Sequence, residues 1–464
     1  MLTYILKKRA SVPLYEQLYR CIRDDIISGK IEGGEKLPSK RELAAHLGIS
    51  KVTVENAYAD LISEGYVYSL EKRGYYAEKS LTVPAREKKI SGADKSPATR
   101  FETDLSSNTV PTAQFPFSVW SKLMREMILN YSTELLEPMP YNGVQVLREA
   151  ICGYLYEERG MDINPDDIVI GAGSEYLYTL IIRLLGSDKV YGIENPSYHK
   201  IRKVYEMNGA AVRSVPFING EPDREILFSH GIDVLHISPS HNFPTGNVMG
   251  AKCRHEIISR ANSLDGKYII EDDFDSELRF TGRPLPPVQT LDTQGKVIYI
   301  NTFSKTISPS FRISYMILPD KLSEKYRNEY RFNSCTVPSF EQYTLAAFIN
   351  RGYFERHINR MKKYYRELHS GLIDEFEKSR ISGISVLSDP AAGLHFSLKL
   401  DTDLSDDRIR SEMEKNGVRV SFMSDYLEGE NTAPHILLVN YSGLDREKFG
   451  KALEILYTII SQSN

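Results

Sequence analysis

Residues 299–315 read YINTFSKTISPSFRISY, and this stretch decides which fold the chain is expected to adopt. An apolar run ends at Thr302 and is followed at once by Lys305, with hydroxyl side chains around it and Arg312 seven residues later. A lysine that forms a Schiff base must reach a carbonyl group and lose its proton readily, and hydroxyls with an arginine suit a phosphate group. Because a lone lysine is usually a solvated surface residue, this reading depends on the rest of the chain.

The region around this stretch alternates strand-like and helix-like patterns. Residues 104–464 contain the apolar runs DIVIGAG, DVLHISPS, KYIIEDD and KVIYINT, each separated from the next by amphipathic stretches. Strands that alternate with helices predict a mainly parallel sheet that is covered by helices on both faces. Ligands bind such sheets at the carboxyl ends of their strands.

Two further motifs are suited to ligand binding, one to an anion and the other to a planar ring. In GAGSEYLY, residues 171–178, Gly173 and Ser174 open a helix after a strand, and free backbone N–H groups at a helix start attract anions. In ENPSYHKIR, residues 194–202, Tyr198 follows a proline turn and could stack on a flat ligand. Each has an ordinary alternative, since glycine turns also serve packing and Tyr198 could be a core tyrosine.

Two polar loops follow other predicted strands. SPSHNFPTGNVM, residues 238–249, contains Asn242, and YIIEDDFDSELR, residues 268–279, contains Asp272. A buried carboxylate must be paired, and a pyridinium nitrogen is one possible partner for Asp272. A structural salt bridge or helix cap is the alternative when this motif is considered by itself.

Together these motifs resemble the fold-type I pyridoxal-phosphate proteins of the class I aminotransferase group, over residues 105–464. The resemblance implies an α/β large domain, a small α/β C-terminal subdomain, pyridoxal 5'-phosphate as cofactor, and Lys305 as the Schiff-base lysine. It assigns cofactor contacts to Gly173, Ser174, Tyr198, Asn242, Asp272, Thr302, Ser304, Lys305 and Arg312, and to Tyr141, which would reach the site of the partner subunit. It implies no metal site.

Two positions depart from that family. A tyrosine that bonds the cofactor's ring oxygen is usual where Phe274 stands, and an arginine that grips a substrate carboxylate is usual where Leu438 stands, in ILLVNYSGL. Losing a bidentate, charge-assisted contact disfavours tight, oriented binding of an amino acid. Arg419 or another basic residue could replace the missing arginine.

The front of the chain predicts a helix-turn-helix followed by a hairpin. In residues 37–78, Ser39 and Glu42 have capping-box spacing, Gly48 lies in a turn, and Ser50 can cap a second helix. The runs YVYSL and GYYAE flank EKR as strands flank a hairpin turn. From periodicity alone, a small helical bundle that docks on its neighbour is the alternative.

This segment resembles the winged-helix regulators of the GntR family, through LPSKRELAAHLGISKVTV. The resemblance assigns DNA contacts to Ser39, Arg41, Ser50, Lys51, Thr53, Arg73 and Gly74. Glu55 departs from the family, because several relatives carry arginine there, and the base preference is therefore open.

Composition supports a division into a DNA-binding head at 1–79, a linker at 80–103 and a large domain at 104–464. Residues 1–103 hold 18 Lys+Arg and 14 Asp+Glu, a balance of +4, and the rest hold 40 and 48, a balance of −8. A mildly basic front permits nucleic-acid binding without proving it. No apolar run approaches the roughly 20 residues of a membrane span, and four scattered cysteines fit a reducing cytoplasm.

A GntR-like head joined by a linker to an aminotransferase-like body resembles the MocR family of transcription regulators. The resemblance implies a head-to-tail homodimer that binds double-stranded DNA at a direct or inverted repeat. Three functions stay open: a PdxR-like regulator that senses pyridoxal phosphate, a GabR-like sensor of an amine or amino acid, and an active aminotransferase with an accessory head. The missing carboxylate arginine favours the first, and the third is the least favoured.

Overall fold

The computed structural model describes residues 2–7, 12–79, 101–107, 109–218, 220–223, 231–280, 285–379, 381–388, 393–429 and 435–461. The chain divides into two compact units, Met1–Ala98 and Thr99–Asn464, which are called unit 1 and unit 2 below. Most of the predicted linker, residues 80–100, lies outside the described residues, so its extent stays a prediction.

Unit 1 is a small helical domain with a three-stranded sheet. Its elements are α1 (Leu14–Ile27), β1 (Lys36–Leu37), α2 (Lys40–Leu47), α3 (Lys51–Ser63), β2 (Val67–Leu70) and β3 (Gly74–Ala77). The antiparallel sheet has the order β1-β3-β2. The predicted helix-turn-helix and the hairpin that follows it are confirmed.

Local capping explains where the helices of this motif begin and end. The Ser39 hydroxyl accepts from the Glu42 N–H, and the Glu42 carboxylate accepts from the Ser39 N–H at 2.9 Å, so the predicted capping box is present. Ser50 accepts from the Thr53 N–H at 3.1 Å and caps α3. Gly48 ends α2 at φ +62°, a conformation that favours glycine.

One face of α3 forms the core of unit 1. Val54, Ala57, Tyr58 and Leu61 are fully buried, as their helical spacing predicts, and they pack with residues of α1 such as Leu18 and Ile22. Since this face is committed to the core, the opposite face of α3 is the one that can meet a partner.

Unit 2 begins with β4 (Thr103–Asp104) and is built on an eight-stranded sheet. The strands are β5 (Ile168–Gly171), β6 (Val190–Asn195), β7 (Ala211–Ile218), β8 (Glu221–Pro222), β9 (Val234–Ile237), β10 (Tyr268–Asp272), β11 (Val297–Thr302) and β12 (Ser314–Ile317). Their order is β5-β12-β11-β10-β9-β6-β7-β8. Strands β7, β6, β9, β10 and β11 run parallel, whereas β12 is antiparallel to both its neighbours. The prediction of a mainly parallel sheet is confirmed.

Helices cover both faces of this sheet. They are α4 (Phe117–Asn130), α5 (Gln145–Arg159), α6 (Ser174–Leu185), α7 (His199–Met207), α8 (Ala251–Asn262), α9 (Asp320–Tyr330) and α10 (Ser339–Asn350). Successive residues of β11 point to opposite faces: Tyr299 packs with Leu147 and Leu345, and Ile300 packs with Leu177. Because both faces are apolar and covered, polar side chains gather at the strand ends.

A smaller subdomain follows the long helix α11 (Tyr353–Ser379). Its elements are β13 (Ile384–Ser388), β14 (His395–Leu400), α12 (Asp406–Lys415), β15 (Val418–Arg419), β16 (Ser421–Phe422), β17 (Ile436–Asn440) and α13 (Arg446–Ser461). Strands β13-β14-β17-β16 form an antiparallel sheet, and β15 pairs in parallel with β4. The predicted small C-terminal subdomain is confirmed, and Thr103 is already part of its β4–β15 pairing.

In the part of the chain that the structure describes, no helix combines the length and the apolar character that crossing a bilayer requires.

Candidate functional site

Lys305 lies just beyond the carboxyl end of β11, in the turn that leads back to β12. Its side chain is half-buried, and its amine has no hydrogen bond or ion pair to any residue in the described part of the chain. Burial lowers the pKa of Lys305 to about 8, although the Asp275 carboxylate opposes this shift. An amine with this pKa is partly neutral near physiological pH, which is the state that attacks a carbonyl group.

Asp272 ends β10, beside β11 in the sheet, and is buried. One carboxylate oxygen accepts a hydrogen bond from the Tyr178 hydroxyl of α6, and His236 Nε2 lies 3.5 Å from the same oxygen. The other oxygen, Oδ1, is buried and has no hydrogen-bond partner within the described residues. Because a buried carboxylate oxygen rarely stays unpaired, Oδ1 is positioned to receive a donor from a ligand.

An arginine and a helix start form an anion-binding cup, made of Ala172, Gly173, Ser174 and Arg312. Arg312 Nη2 lies 3.3 Å from the Ala172 carbonyl oxygen, next to the first turn of α6. A Cβ atom at Gly173 would clash with the Arg312 guanidinium, and Gly173 itself has φ +94°. Arg312 also has a left-handed backbone, at φ +51°, which is unusual for a residue with a side chain. The guanidinium at this helix start is thus accompanied by two residues with positive φ, Gly173 and Arg312.

A carboxylate already contacts this guanidinium. Glu175 Oε2 lies 2.8 Å from Arg312 Nη2, and Glu175 Oε1 lies 3.6 Å from the Lys200 ammonium of α7. Although burial raises the pKa of Glu175, the Arg312 guanidinium outweighs this and keeps the pKa below its usual value. Glu175 is therefore a carboxylate at neutral pH, between two cations.

Hydroxyl groups connect the ends of β11 and β12. The Ser314 hydroxyl donates to Thr302 Oγ1 at 2.7 Å, and the Thr302 hydroxyl donates to Ser304 Oγ at 2.9 Å. This chain of hydroxyls includes both predicted residues, Thr302 and Ser304, which lie three positions and one position before Lys305. Their contact with a cofactor stays a prediction.

Tyr198 lies immediately before α7 and is 40% exposed, so its ring is open to a ligand rather than buried in a core. The Lys200 ammonium lies 5.7 Å from its ring centre, and the Phe243 ring meets it edge to face with 6.0 Å between centres. The alternative of an ordinary core tyrosine does not fit this exposure.

Asn242 is tied to the protein at both ends of its amide. Its nitrogen donates to Glu194 Oε2 at 2.7 Å, and its oxygen accepts from the Thr245 hydroxyl at 2.7 Å. Burial raises the pKa of Glu194 to about 8, although the bonds from Asn242 and from the Ser238 N–H oppose the shift. Only the second amide hydrogen of Asn242 is left for the predicted cofactor contact.

A histidine–aspartate pair adjoins Phe274. His241 Nδ1 lies 2.8 Å from Asp275 Oδ2, and the His241 ring is 6.1 Å from Phe274 and 5.1 Å from His395. His241 Nε2 is buried without a hydrogen-bond partner among the described residues. Burial and the neighbouring His241 lower the pKa of His395 to about 3, so His395 is neutral. Two imidazoles and one carboxylate thus supply polar groups where Phe274 has none.

Leu438 lies in β17 opposite Ser397 of β14, on the face of the small sheet that also carries His395. It is 2% exposed and packs with Met423 and Ile436 in an apolar cluster that Phe243, Tyr426 and Leu427 adjoin. Arg419, the suggested substitute for the family's arginine, has contacts elsewhere: it lies 3.9 Å from Asp104 and over the ring of Phe101. At the position where the family resemblance predicts a replaced arginine, this chain has a packed apolar surface.

Tyr141 is half-buried and packs against Tyr326, with 5.4 Å between ring centres. Its predicted contact with a phosphate of a second subunit stays a prediction.

In unit 1, three predicted DNA contacts are exposed cations. Arg41, Lys51 and Arg73 are exposed, and none is in an ion pair with another described residue. Ser39 and Ser50 use their hydroxyls as helix caps, and Thr53 Oγ1 lies 2.8 Å from Ser50 Oγ. Free cations on the helix-turn-helix and at the hairpin tip are suited to phosphate contacts.

The conformation of the hairpin tip explains Gly74. Gly74 has φ +113° and Lys72 has φ +61°, and a Cβ atom at Gly74 would lie 3.2 Å from the Lys36 side chain. The departure at Glu55 is balanced locally, because Lys40 lies 2.8 Å from its carboxylate. Glu55 therefore adds no unpaired negative charge to this surface.

Several residues of the site escaped the sequence reasoning. Glu175, Lys200 and His241 stand inside quoted motifs but have partners that are far away in sequence. Val52, at the start of α3, is 62% exposed, and an exposed apolar side chain on such a helix can contact a thymine methyl group. The sequence could have indicated this for Val52, because its position in α3 is not on the face that carries the buried residues Val54 and Leu61.

Two family models cover the chain. Residues 14–76 match "Bacterial regulatory proteins, gntR family", and residues 102–455 match "Aminotransferase class I and II". The first match runs from the start of α1 into β3 of unit 1, and the second extends from just before β4 into α13 of unit 2.

Named relatives share both parts. The chain is 33% identical to the uncharacterized HTH-type transcriptional regulator YdeL of Bacillus subtilis, over 90% of this chain and 91% of YdeL. It is 27% identical to the probable rhizopine catabolism regulatory protein MocR of Rhizobium meliloti, over 97% and 94%. It is 28% identical to the HTH-type pyridoxine biosynthesis transcriptional regulator PdxR of Corynebacterium glutamicum, over 89% and 88%.

Unit 2 has the fold of aminotransferases. The kynurenine aminotransferase of Pyrococcus horikoshii superposes with a TM-score of 0.68 at 23% identity, over 79% of this chain and 92% of that enzyme. At this identity the likeness shows the fold. The joined matches show that the chain belongs to the MocR-type family of regulators, in which a gntR-family helix-turn-helix is fused to a class I and II aminotransferase domain.

Proposed function

We propose that this HTH-type regulator binds double-stranded DNA through unit 1 and pyridoxal 5'-phosphate through unit 2, and that the bound cofactor changes DNA binding. The observation that carries the proposal is the amine of Lys305, which has a lowered pKa and no partner among the described residues, at the same sheet edge as Asp272. That edge is where sheets of this kind bind ligands.

The residues present fit this cofactor at three points. Asp272 Oδ1 is a buried acceptor that has no partner among the described residues. It could accept a hydrogen bond from the protonated ring nitrogen of the cofactor. The Arg312 guanidinium lies at the start of α6, in space that Gly173 leaves open because it has no Cβ atom. A guanidinium beside the N–H groups of a helix start is suited to binding a phosphate group. Tyr198 offers an exposed ring for a flat ligand.

Each residue then has a defined task. Pyridoxal phosphate supplies, when bound, an aldehyde that an amine can capture and a ring that withdraws electrons. Lys305 offers the neutral amine, and Tyr178, whose pKa burial and Asp272 raise well above the usual value, stays protonated and orients the Asp272 carboxylate. Arg312 and the N–H groups of α6 orient the phosphate end.

The apolar surface at Leu438 favours the cofactor itself as the signal, rather than an amino acid. No guanidinium in the described residues lies in this apolar cluster to pair with a substrate carboxylate. PdxR of Corynebacterium glutamicum, which is named a regulator of pyridoxine biosynthesis, is among the relatives. A sensor of an amine without a carboxylate is the alternative that the same surface permits.

We also propose a homodimer. Large apolar side chains are exposed on α4 and shortly after it, just after α9, and at the start of α10: Phe117, Leu129, Leu136, Phe332 and Phe340. The Ser339 hydroxyl donates to the Leu135 carbonyl at 3.4 Å, which brings Leu136 and Phe340 near each other. Exposed apolar patches mark interaction surfaces, and a second copy is the proposed occupant because Tyr141, expected to reach a partner's phosphate, follows this segment. A dimer would also present two heads to the half-sites of a repeat operator.

Chemical trapping tests the cofactor assignment. The protein is incubated with pyridoxal phosphate, reduced with borohydride, digested and analysed by mass spectrometry. The expected result is a phosphopyridoxyl group on the peptide that contains Lys305, and loss of the label in Lys305→Ala. A label that persists after denaturation in Lys305→Ala, or is spread over surface lysines, contradicts the assignment.

A further inference from the structure

The anion-binding cup contains an anion of the chain's own. Glu175 places its carboxylate 2.8 Å from Arg312 Nη2, the group that the proposed function assigns to the cofactor phosphate. Among the described residues, the Arg312 side chain has one other hydrogen bond, the 3.3 Å contact with the Ala172 carbonyl oxygen. A carboxylate and a phosphate oxygen compete for the same donors of a guanidinium.

Glu175 also has a second cation within reach. The Lys200 ammonium lies 3.6 Å from the other carboxylate oxygen, and the Glu175 side chain is 44% exposed, so it has room to turn. Lys200 in turn lies over the ring of Tyr198, the expected stacking residue. The side chains of Arg312, Glu175 and Lys200 therefore form a line from the expected phosphate position to Tyr198, the expected stacking residue.

We propose that Glu175 is an internal competitor for the phosphate group: it holds Arg312 when no phosphate is present and pairs with Lys200 alone when phosphate takes Arg312. The inference rests on the proposed function, because it concerns the affinity of that same cofactor site. The ligand chemistry it concerns is a phosphate monoester dianion.

The charges give the direction of the effect. Arg312 and Lys200 carry two positive charges, and Glu175 cancels one of them before any ligand arrives. The positive end of α6 is also partly satisfied, since Glu175 lies in its first turn. A phosphate must displace an existing ion pair, so its net affinity is reduced by what that pair contributes.

A reduced affinity has a regulatory consequence. A site that binds its ligand very tightly stays filled at all concentrations and reports nothing, whereas a weakened site changes its occupancy with the free concentration. Glu175 would set the range of cofactor concentration over which this regulator responds.

The test compares cofactor affinity in full-length wild type, Glu175→Gln and Glu175→Ala. Each is titrated with pyridoxal phosphate, followed by the absorbance of the protein-bound cofactor. Both variants are expected to bind more tightly by about three- to tenfold, because the Arg312–Glu175 pair is nearly half exposed and is screened by solvent. The alanine variant covers the case in which a glutamine amide still contacts Arg312.

Two controls isolate the phosphate. Pyridoxal, which lacks the phosphate group, should bind wild type and Glu175→Gln with affinities within about twofold of each other, since it has no anion that competes with Glu175. Glu206→Gln removes a carboxylate from a similar ion pair, 3.1 Å from Arg202 on α7, and should leave pyridoxal phosphate affinity unchanged. Inorganic phosphate should compete more strongly in Glu175→Gln than in wild type.

The outcomes separate the two proposals. Equal pyridoxal phosphate affinity in wild type and both Glu175 variants overturns the internal competitor and shows an ordinary surface ion pair. Tighter binding of pyridoxal and pyridoxal phosphate alike also overturns it, because the effect is then not on the phosphate. If wild type shows no Lys305-dependent binding at all, the proposed function itself fails.

Discussion

The Tyr178 hydroxyl donates a hydrogen bond to one oxygen of the buried Asp272 carboxylate, while the other oxygen has no partner within the described residues. The two residues are 94 positions apart, and the fold brings them together where α6 lies against the end of β10. The bond engages one carboxylate oxygen and leaves the other as a buried acceptor for a ligand.

Removing the Asp272 charge should weaken cofactor binding. Asp272→Asn keeps the shape but loses the charge-assisted contact, which is worth about 1.5–3 kcal/mol, so pyridoxal phosphate affinity should fall by roughly 10- to 150-fold. Tyr178→Phe keeps the charge and should cost about fivefold or less. Equal affinity in wild type and Asp272→Asn, measured by absorbance titration, would place the cofactor's ring nitrogen elsewhere.

The rate of covalent capture should depend on pH through Lys305. The amine is neutral and reactive above its pKa, and burial lowers that pKa to about 8, so the rate should rise as pH increases and reach half its maximum near 8. Asp275 raises this pKa, so Asp275→Asn should shift the midpoint to lower pH. Stopped-flow absorbance between pH 6 and 10 measures both. A rate that rises only near pH 10 would show a solvated lysine.

Sequence alone could predict the features that depend on residues close together in the chain. The capping box of Ser39 and Glu42, the buried stripe of α3, and the strands that precede Asp272 and Lys305 are visible because their periodicity and spacing are local. The family resemblance then linked the separate motifs to one fold.

The missed features depend on tertiary placement. Glu175 and Arg312 are 137 residues apart, and His241 and Asp275 are 34 apart, so no local pattern pairs them. The packing of Leu438 with Met423 and Phe243 is likewise visible only in the fold. That Leu438 replaces the family's carboxylate-binding arginine stays a prediction, and the structure shows which apolar side chains surround Leu438.

The apolar surface at Leu438 makes a prediction about ligands. Because no described guanidinium lies in this cluster, an amino acid should have no advantage over the amine that lacks its α-carboxylate. The two ligands are each titrated into the cofactor-loaded protein, and the absorbance change is followed. Their half-saturating concentrations should agree within about threefold. An amino acid that is ten or more times as effective would reveal a carboxylate-binding cation outside the cluster. Leu438→Ala should lower the free energy of unfolding by about 2–5 kcal/mol, measured in urea.

The free cations of unit 1 predict a salt dependence. Lys51→Ala and Arg73→Ala should each weaken DNA binding and reduce the slope of log affinity against log salt by about one. Lys30→Ala is the matched control, because Lys30 is already paired with Asp25 at 3.1 Å, and should leave the slope unchanged. Fluorescence anisotropy at several salt concentrations measures the slopes, and an unaltered slope in both variants would exclude these side chains from the interface.

Whether cofactor capture at Lys305 changes DNA binding can be measured in a single titration. DNA from upstream of the protein's own gene is titrated with wild type and Lys305→Ala, each without cofactor, with pyridoxal phosphate, and with pyridoxal phosphate plus a panel of amines and amino acids. We expect pyridoxal phosphate alone to change the affinity or footprint of wild type, the panel to add nothing, and Lys305→Ala to show no response. A wild type whose DNA binding is the same with and without the cofactor, or changes only with one amine of the panel, would contradict this expectation.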